Sequence, residues 1–344
     1  MIDDTARIRT QSDIAKALGV SQVTVHKALT NQSGVSPQLR RRVLEMAAQG
    51  GYRVHAGARA MRRGRAGSVT LVLSAAGGGR SVLPEAVLRG AADELEAAGM
   101  HLAVAYLDDA KLTSNGYVPR MLREFVSDGL LINYNKLVPP RMIELIDSYR
   151  LPAVWLNHKR PTDAAYPDDL SGGAEAVGRL TALGHSRIAY VGYSYAHEVL
   201  HYSELDRREG YCRAMEQAGL APLTIDRYTH DGDRIAYWQH LLNTPGRPTA
   251  VIAYSITSLV YVVRAADRLG LSIPGDLSVV LFGQQTAFAG QDIATMLVPD
   301  QQVGREGAKL LLAKLKQPAV EQPSAPVRLG FDAGQSIGPL GGRP

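Results

Sequence analysis

The sequence predicts an N-terminal all-α helix-turn-helix headpiece followed by an α/β core of two doubly wound parallel-sheet subdomains. Three observations carry this. Residues 1–53 hold capped apolar stripes at helical spacing. From residue 68, short continuous apolar runs alternate with amphipathic helical stretches, the texture of parallel strands covered on both faces. The charge is split: residues 1–67 carry about 12 Lys/Arg against about 4 Asp/Glu, roughly +8, which leaves about −3 for the remainder of a chain of net charge +5.

In the headpiece, Thr10-Gln11-Ser12-Asp13 offers a capping box, and Ile14, Ala15 and Leu18 follow as a helical stripe. Gly19 breaks that helix, and Ser21 caps the next, "SQVTVHKAL". Ser36-Pro37 starts a third helix, "PQLRRRVLEMAAQGGY", which Gly50-Gly51 ends. Residues 54–67 are basic and rich in Gly and Ala, a linker with some helix propensity. In the core, "SVTLVLS", "HLAVAYL", "GLLINY", "PAVWLN", "RIAYVGY", "AVIAYS" and "LSVVLFG" read as strands. Between them, stretches such as "VLRGAADELEAAGM", "YVPRMLREFVSDG", "PRMIELIDSYR" and "RREGYCRAMEQAG" read as helices. About ten such units are too many for one comfortable sheet, hence two subdomains, with a ligand crevice beyond the carboxyl ends of the strands. The C-terminal "GPLGGRP" reads as a disordered tail.

Composition narrows the function classes. The chain has 344 residues, 45% of them hydrophobic, and a single cysteine, Cys212, so it forms no internal disulfide and suits a reducing cytoplasm. Its first residues, "MIDDTARIRTQSD", resemble neither a signal peptide nor a membrane span. A basic end on a near-neutral body suggests an anionic partner for that end.

A helix, a short turn and a second capped helix place the second helix in a DNA major groove, with its N-terminal residues at the base edges. There Gln22 can pair bidentately with adenine, Lys27 can donate to guanine, and Val23 can touch a thymine methyl. Ser21 and Thr24 suit phosphates, and His26 could serve either role. The enzyme signals are weaker. "HEVLH" at 197–201 has the His-Glu-x-x-His spacing that holds zinc on a helix, with Glu198 as base between His197 and His201. The third ligand such a site needs is not in its usual place: Glu204 and Asp206 follow too closely. A solvated loop near the ligand crevice is the better reading, with an effector or metal contact as the alternative. "GYSYA" lacks the second glycine of a nucleophile elbow, and "GGGRS" fits no phosphate loop. Neither a cofactor, a resident metal nor a catalytic residue is expected.

"SDIAKALGVSQVTVHKALTNQSGVSPQLRRRVLEMAAQGGYR" resembles the headpiece of the lactose-repressor (LacI/GalR) family of bacterial transcriptional regulators. The resemblance continues through "SDGLLINY", "DDLSGGAEAVGRLTALGHSRIAYVG", "RREGYCRAMEQAGL", "RPTAVIAYS" and "ADRLGLSIPGDLSVVLFG". It implies a cytoplasmic, nucleoid-associated regulator, most often a repressor, acting as a homodimer or homotetramer on a pseudo-palindromic operator. It also implies a periplasmic-binding-protein-like core over 68–338, divided into about 68–168 with 299–325, and 169–298. The segment "ARAM" at 58–61 matches the hinge helix, placing Arg59 and Met61 on DNA, with Met61 as the minor-groove wedge. Asn133 and Arg207 match effector-contacting positions. Asn157, Ser255 and Gly283 stand where the family pattern carries an acid or an Asn-Asp pair. A cleft that keeps Arg207 without those acids suits an anionic or aromatic effector; a neutral sugar held by neighbouring polar groups is the alternative. A binding protein with no DNA role, or a zinc hydrolase, are the competing functions.

Overall fold

The computed structural model describes residues 10–52, 64–76, 81–112, 116–192, 199–225, 234–288 and 290–341. The chain divides into two compact units, Met1–Ala66 and Gly67–Pro344. The expected hinge, with Arg59 and Met61, lies outside the described residues.

In the first unit α1 (Gln11–Leu18), α2 (Gln22–Leu29) and α3 (Pro37–Gln49) form where the caps require. The Thr10 hydroxyl accepts the Asp13 amide at 3.1 Å while the Asp13 carboxylate accepts the Thr10 amide at 2.8 Å, closing the capping box. Gly19, at φ 66°, turns the chain out of α1 in a left-handed conformation that suits glycine. Ile14, Ala15, Val25, Ala28, Val43 and Ala47 meet in a core of their own. Arg40 of α3 donates to the carbonyls of Lys27, Ala28 and Gln32, fixing the end of α2.

The second unit holds two six-stranded sheets. β1 (Ser68–Ser74), α4 (Glu85–Ala97), β2 (His101–Leu107), the short α5 (Asp109–Leu112) and α6 (Arg120–Arg123), β3 (Gly129–Ile132), α7 (Pro140–Tyr149), β4 (Ala153–Leu156) and β5 (Ala164–Pro167) build the first half. α8 (Asp169–Ala182), β6 (Ile188–Val191), α9 (Tyr202–Gln217), β7 (Leu223–Ile225), α10 (Arg234–Leu242), β8 (Ala250–Ala253), α11 (Ile256–Arg268), β9 (Ser278–Gly283), the hairpin β10 (Ala287–Phe288) and β11 (Gln291–Asp292), and β12 (Ala294–Leu297) build the second. The chain then returns through α12 (Asp300–Lys316) and β13 (Ala325–Val327) to the first half, and ends with β14 (Gly330–Asp332) in the second. The orders are β13-β5-β4-β3-β1-β2 and β14-β12-β9-β8-β6-β7, parallel throughout except for the antiparallel β14. Each half buries an apolar layer on both faces of its sheet.

Two expectations need correction. "YVPRMLREFVSDG" makes only the single turn α6, because its later backbone is claimed by the start of β1. The Asp128 amide donates to Ser68 O at 2.8 Å, and the Ser68 hydroxyl donates to Val126 O at 2.7 Å. The C-terminal tail is ordered as far as residue 341: Gly338 O accepts from His185 at 3.1 Å, and the Leu340 amide donates to Leu183 O at 3.0 Å. Among the described residues no helix is long and apolar enough to cross a membrane.

Candidate functional site

The headpiece presents one edge of α2. Ser21 caps it, its hydroxyl accepting the Thr24 amide at 3.1 Å and lying 2.8 Å from the Thr24 hydroxyl. Val25 and Ala28 point into the core, which leaves Ser21, Gln22 and Val23 exposed at the N-terminal end. Val23 is an apolar side chain left 64% exposed. His26 and Lys27 are half-buried. The Lys27 ammonium lies toward the α2–α3 connection, 3.8 Å from where a side chain on Gly34 would begin.

In the core, a cavity of about 440 Å³ opens between the two halves. It sits at the carboxyl ends of the parallel strands, where such folds collect ligand-binding side chains. Asn135 and Lys136 follow β3, Asn157 follows β4, Tyr254 follows β8, and Gly283 and Gln284 end or follow β9. Ser203, Glu204 and Arg207 come from the first two turns of α9, His201 caps that helix, and Asp300 begins α12.

Arg207 is buried and engaged. Its Nε donates to Asp169 at 2.6 Å, Nη1 donates to Tyr254 O at 3.3 Å, and the guanidinium lies 4.8 Å from the Tyr254 ring and 4.6 Å from the Phe282 ring. Burial is the largest single influence and lowers its pKa, but the Asp169 carboxylate together with Tyr254 and Tyr190 holds the guanidinium above its ordinary value. Asp300 accepts from Gln284 Nε2 at 2.7 Å, yet burial pushes its carboxyl up to about 6. His201 Nε2 donates to Asn157 O at 3.0 Å, and Nδ1 accepts from Ser203 at 2.8 Å, a pattern that fixes the tautomer. Burial lowers its pKa to about 4, so the ring is neutral at pH 7.

Of the effector positions expected from sequence, Asn157, Arg207 and Gly283 line the cavity. Asn133 and Ser255 are not among its lining residues. Asn133 is buried behind the wall, donating to Val82 O at 2.9 Å and accepting at its carbonyl from Ser81 at 2.6 Å. Ser255 caps α11 through the Ser258 amide. The acids that the family pattern carries are absent at Asn157, Ser255 and Gly283, but two others, Glu204 and Asp300, line the cavity, and Arg207 is ion-paired with Asp169. Asp300 escapes sequence reading because the strand before it, "ATML", offers no continuous run of large apolar residues and is followed by Val298-Pro299. Asn135 and Lys136 could have been found in the loop that follows "GLLINY", just past the carboxyl end of that strand.

Of "HEVLH", His197 and Glu198 lie outside the described residues. Val199 and Leu200 are exposed and non-helical; α9 starts only at Tyr202, and both nitrogens of His201 are engaged in hydrogen bonds. A helix through 199–201 able to stack two imidazoles on one face is therefore not formed.

A helix-turn-helix headpiece joined to a two-sheet core with a cavity between its halves defines a ligand-responsive DNA-binding regulator as a class. Comparison with known proteins gives the family. Residues 10–54 match the bacterial regulatory proteins of the lacI family, and residues 177–337 match a periplasmic binding protein-like domain. The HTH-type transcriptional regulator AglR of Rhizobium meliloti is 31% identical over 301 residues, spanning 83% of this chain and 79% of that protein. The crystal structure of the lac repressor dimer bound to operator and the anti-inducer ONPF superposes with a TM-score of 0.73 at 19% identity, covering 95% of this chain and 98% of that one. A complex of the transcriptional regulator CelR with cellobiose gives 0.62 at 22% identity, covering 95% and 99%. The chain belongs to the lacI family of bacterial transcriptional regulators.

Proposed function

We propose that the protein is a repressor that binds a pseudo-palindromic operator as a dimer and is controlled by a neutral, hydroxyl-rich effector in the 440 Å³ cavity. The observation that carries the effector class is the disposition of charge. Arg207 is paired with Asp169, so its charge is not left over for an anionic ligand, while Glu204 and Asp300 line the cavity as acceptors and outnumber the one other lining cation, Lys136. Carboxylates suit adjacent hydroxyls because each oxygen accepts, and a hydroxyl buried without a partner costs about 1–3 kcal/mol. The neighbour solved with cellobiose is consistent with this chemistry. Tyr254 supplies a ring edge against which a pyranose could pack.

On the DNA side, Gln22 and Val23 read bases, Ser21 and Thr24 hold phosphates, and His26 stands behind them. The fold of the Lys27 ammonium toward Gly34 favours a phosphate over guanine. Arg59 and Met61 would act from the hinge. Strand β2 is an uncovered sheet edge with Val104 and Tyr106 exposed, a surface on which two chains can join. One experiment tests the whole reading: operator titration with and without a panel of neutral sugars, sugar acids and nucleotides. A neutral sugar should shift operator affinity, and Gln22→Ala should weaken cognate binding by about 1–3 kcal/mol while barely changing non-specific binding. A response confined to the acids would overturn the effector class, and equal losses on both DNAs would overturn the role of Gln22.

A further inference from the structure

The loop after β4 and the first turns of α9 meet at the cavity, one from each half of the core. Asn157 stands at φ 52°, a left-handed conformation that asparagine adopts more readily than most other residues. Its carbonyl accepts His201 Nε2 at 3.0 Å, and its side-chain oxygen accepts the Tyr202 hydroxyl at 3.2 Å. Two residues further on, Lys159 Nζ meets Asp206 at 2.6 Å. The Tyr202 ring also packs edge-on against Tyr166 of β5, with centroids 5.8 Å apart. Each of these contacts joins the first half to the second. The Asn157 carbonyl also accepts from Asn135 Nδ2 of its own half at 3.4 Å, but its shorter bonds go to the opposite half, although its side of the loop also lines the cavity.

We propose that Asn157 is a positioning residue, and that residues 157–159 with His201, Tyr202 and Asp206 form a clasp that sets the balance between closed and open cleft. The inference rests on the cavity being the effector site, but not on which ligand it takes. A ligand moves such a balance only by its differential affinity for the two states, so the clasp fixes the starting point. Weakening it lowers the apparent affinity of any ligand that prefers the closed form by the same factor as the closed population falls. The Lys159–Asp206 pair is partly exposed, at 44% and 17%, which makes its share small and sensitive to salt. The bonds of Asn157 to His201 and Tyr202 are more sheltered and fix the geometry.

Double electron–electron resonance on the full-length chain, without DNA or ligand, reads the separation of the halves. Labels at Glu144→Cys on α7 and Arg264→Cys on α11 are solvent-exposed, at 60% and 55%. A Cys212→Ser background removes the native thiol, and dilution with unlabelled chain leaves intrachain pairs dominant. Lys159→Asp and Asp206→Lys should each move weight to longer distances, lowering the closed-to-open ratio about threefold. The combined swap should restore the short distances. Tyr202→Phe, which removes the hydroxyl that Asn157 shares with Asp169, should move the distribution in the same direction, and it carries the test alone should the charge variants not fold. Distributions that stay at the wild-type distances, or a swap no better than its single parents, overturn the clasp. Neither result touches the effector reading, which the ligand panel tests separately.

Discussion

Asp300 begins a helix, where the dipole ordinarily favours the ionised carboxylate, yet burial pushes its pKa from 3.8 up to about 6. The folded state thus binds this proton more tightly than the unfolded chain. Stability from Asp300 is greatest below 3.8, falls as pH rises through the window to about 6, and stays low above it. Asp300→Asn, which keeps an acceptor for Gln284, should stabilise the protein at pH 7 by on the order of 1–3 kcal/mol. His201 works with the opposite sign. Its pKa is lowered from 6.5 to about 4, so its contribution is present above 6.5 and is lost as pH falls toward 4. The Asn variant should therefore lose stability in acid more steeply than wild type. Urea unfolding across this range checks both statements, and parallel pH profiles for the two proteins would contradict them.

At the scale of elements, each half is closed by two helices that touch backbone to backbone through paired glycines. A side chain on Gly90 would begin 2.0 Å from Gln301 O, and one on Gly304 2.1 Å from Val87 O. In the second half, Gly173 faces Arg207 O at 2.2 Å and Gly210 faces Leu170 O at 2.0 Å. This second contact brings α9 close enough for Arg207 to reach Asp169. Gly210→Ala must push α8 and α9 apart, and should cost at least about 1–3 kcal/mol in urea unfolding. Gly178→Ala, in α8 with nothing within 4 Å, should instead stabilise by up to about 1 kcal/mol. Equal effects of the two would show that helix propensity, not close approach, governs these sites. The helices themselves were readable in the sequence because their caps and stripes are local: Thr10, Ser21 and Ser36 all cap as their positions imply. The strands β5, β7, β12, β13 and β14 were not: unlike the equally short GLLI, AVWL, IAYV and AVIA, the stretches AAYP, LTI, ATML, APV and GFD offer neither a continuous run of large apolar residues nor a clear alternation. Asp300 was hidden with β12. Arg207 was found from sequence, but its partner Asp169 lies 38 residues away and is joined to it only by the glycine contact.

At the scale of the whole molecule, charge and packing divide at the same place. The Met1–Ala66 unit has its own apolar core around Ile14, Val25 and Val43, while Gly67–Pro344 has separate cores in each sheet half. About 12 Lys/Arg against about 4 Asp/Glu fall in the first unit, so phosphate binding resides there and the core is left mildly acidic. Operator affinity of the full chain should fall linearly with log salt, with a slope of roughly 0.9 per phosphate contact. A chain starting at Gly67 should unfold cooperatively within a few degrees of the full protein, because none of the buried residues in its apolar clusters comes from the first unit. It should keep its response to the effector and lose DNA binding even at low salt, where non-specific attraction is strongest. Calorimetry and a salt series on both chains decide this. DNA binding by the shortened chain, or a broad uncooperative transition, would mean that the two units share either charge or stability.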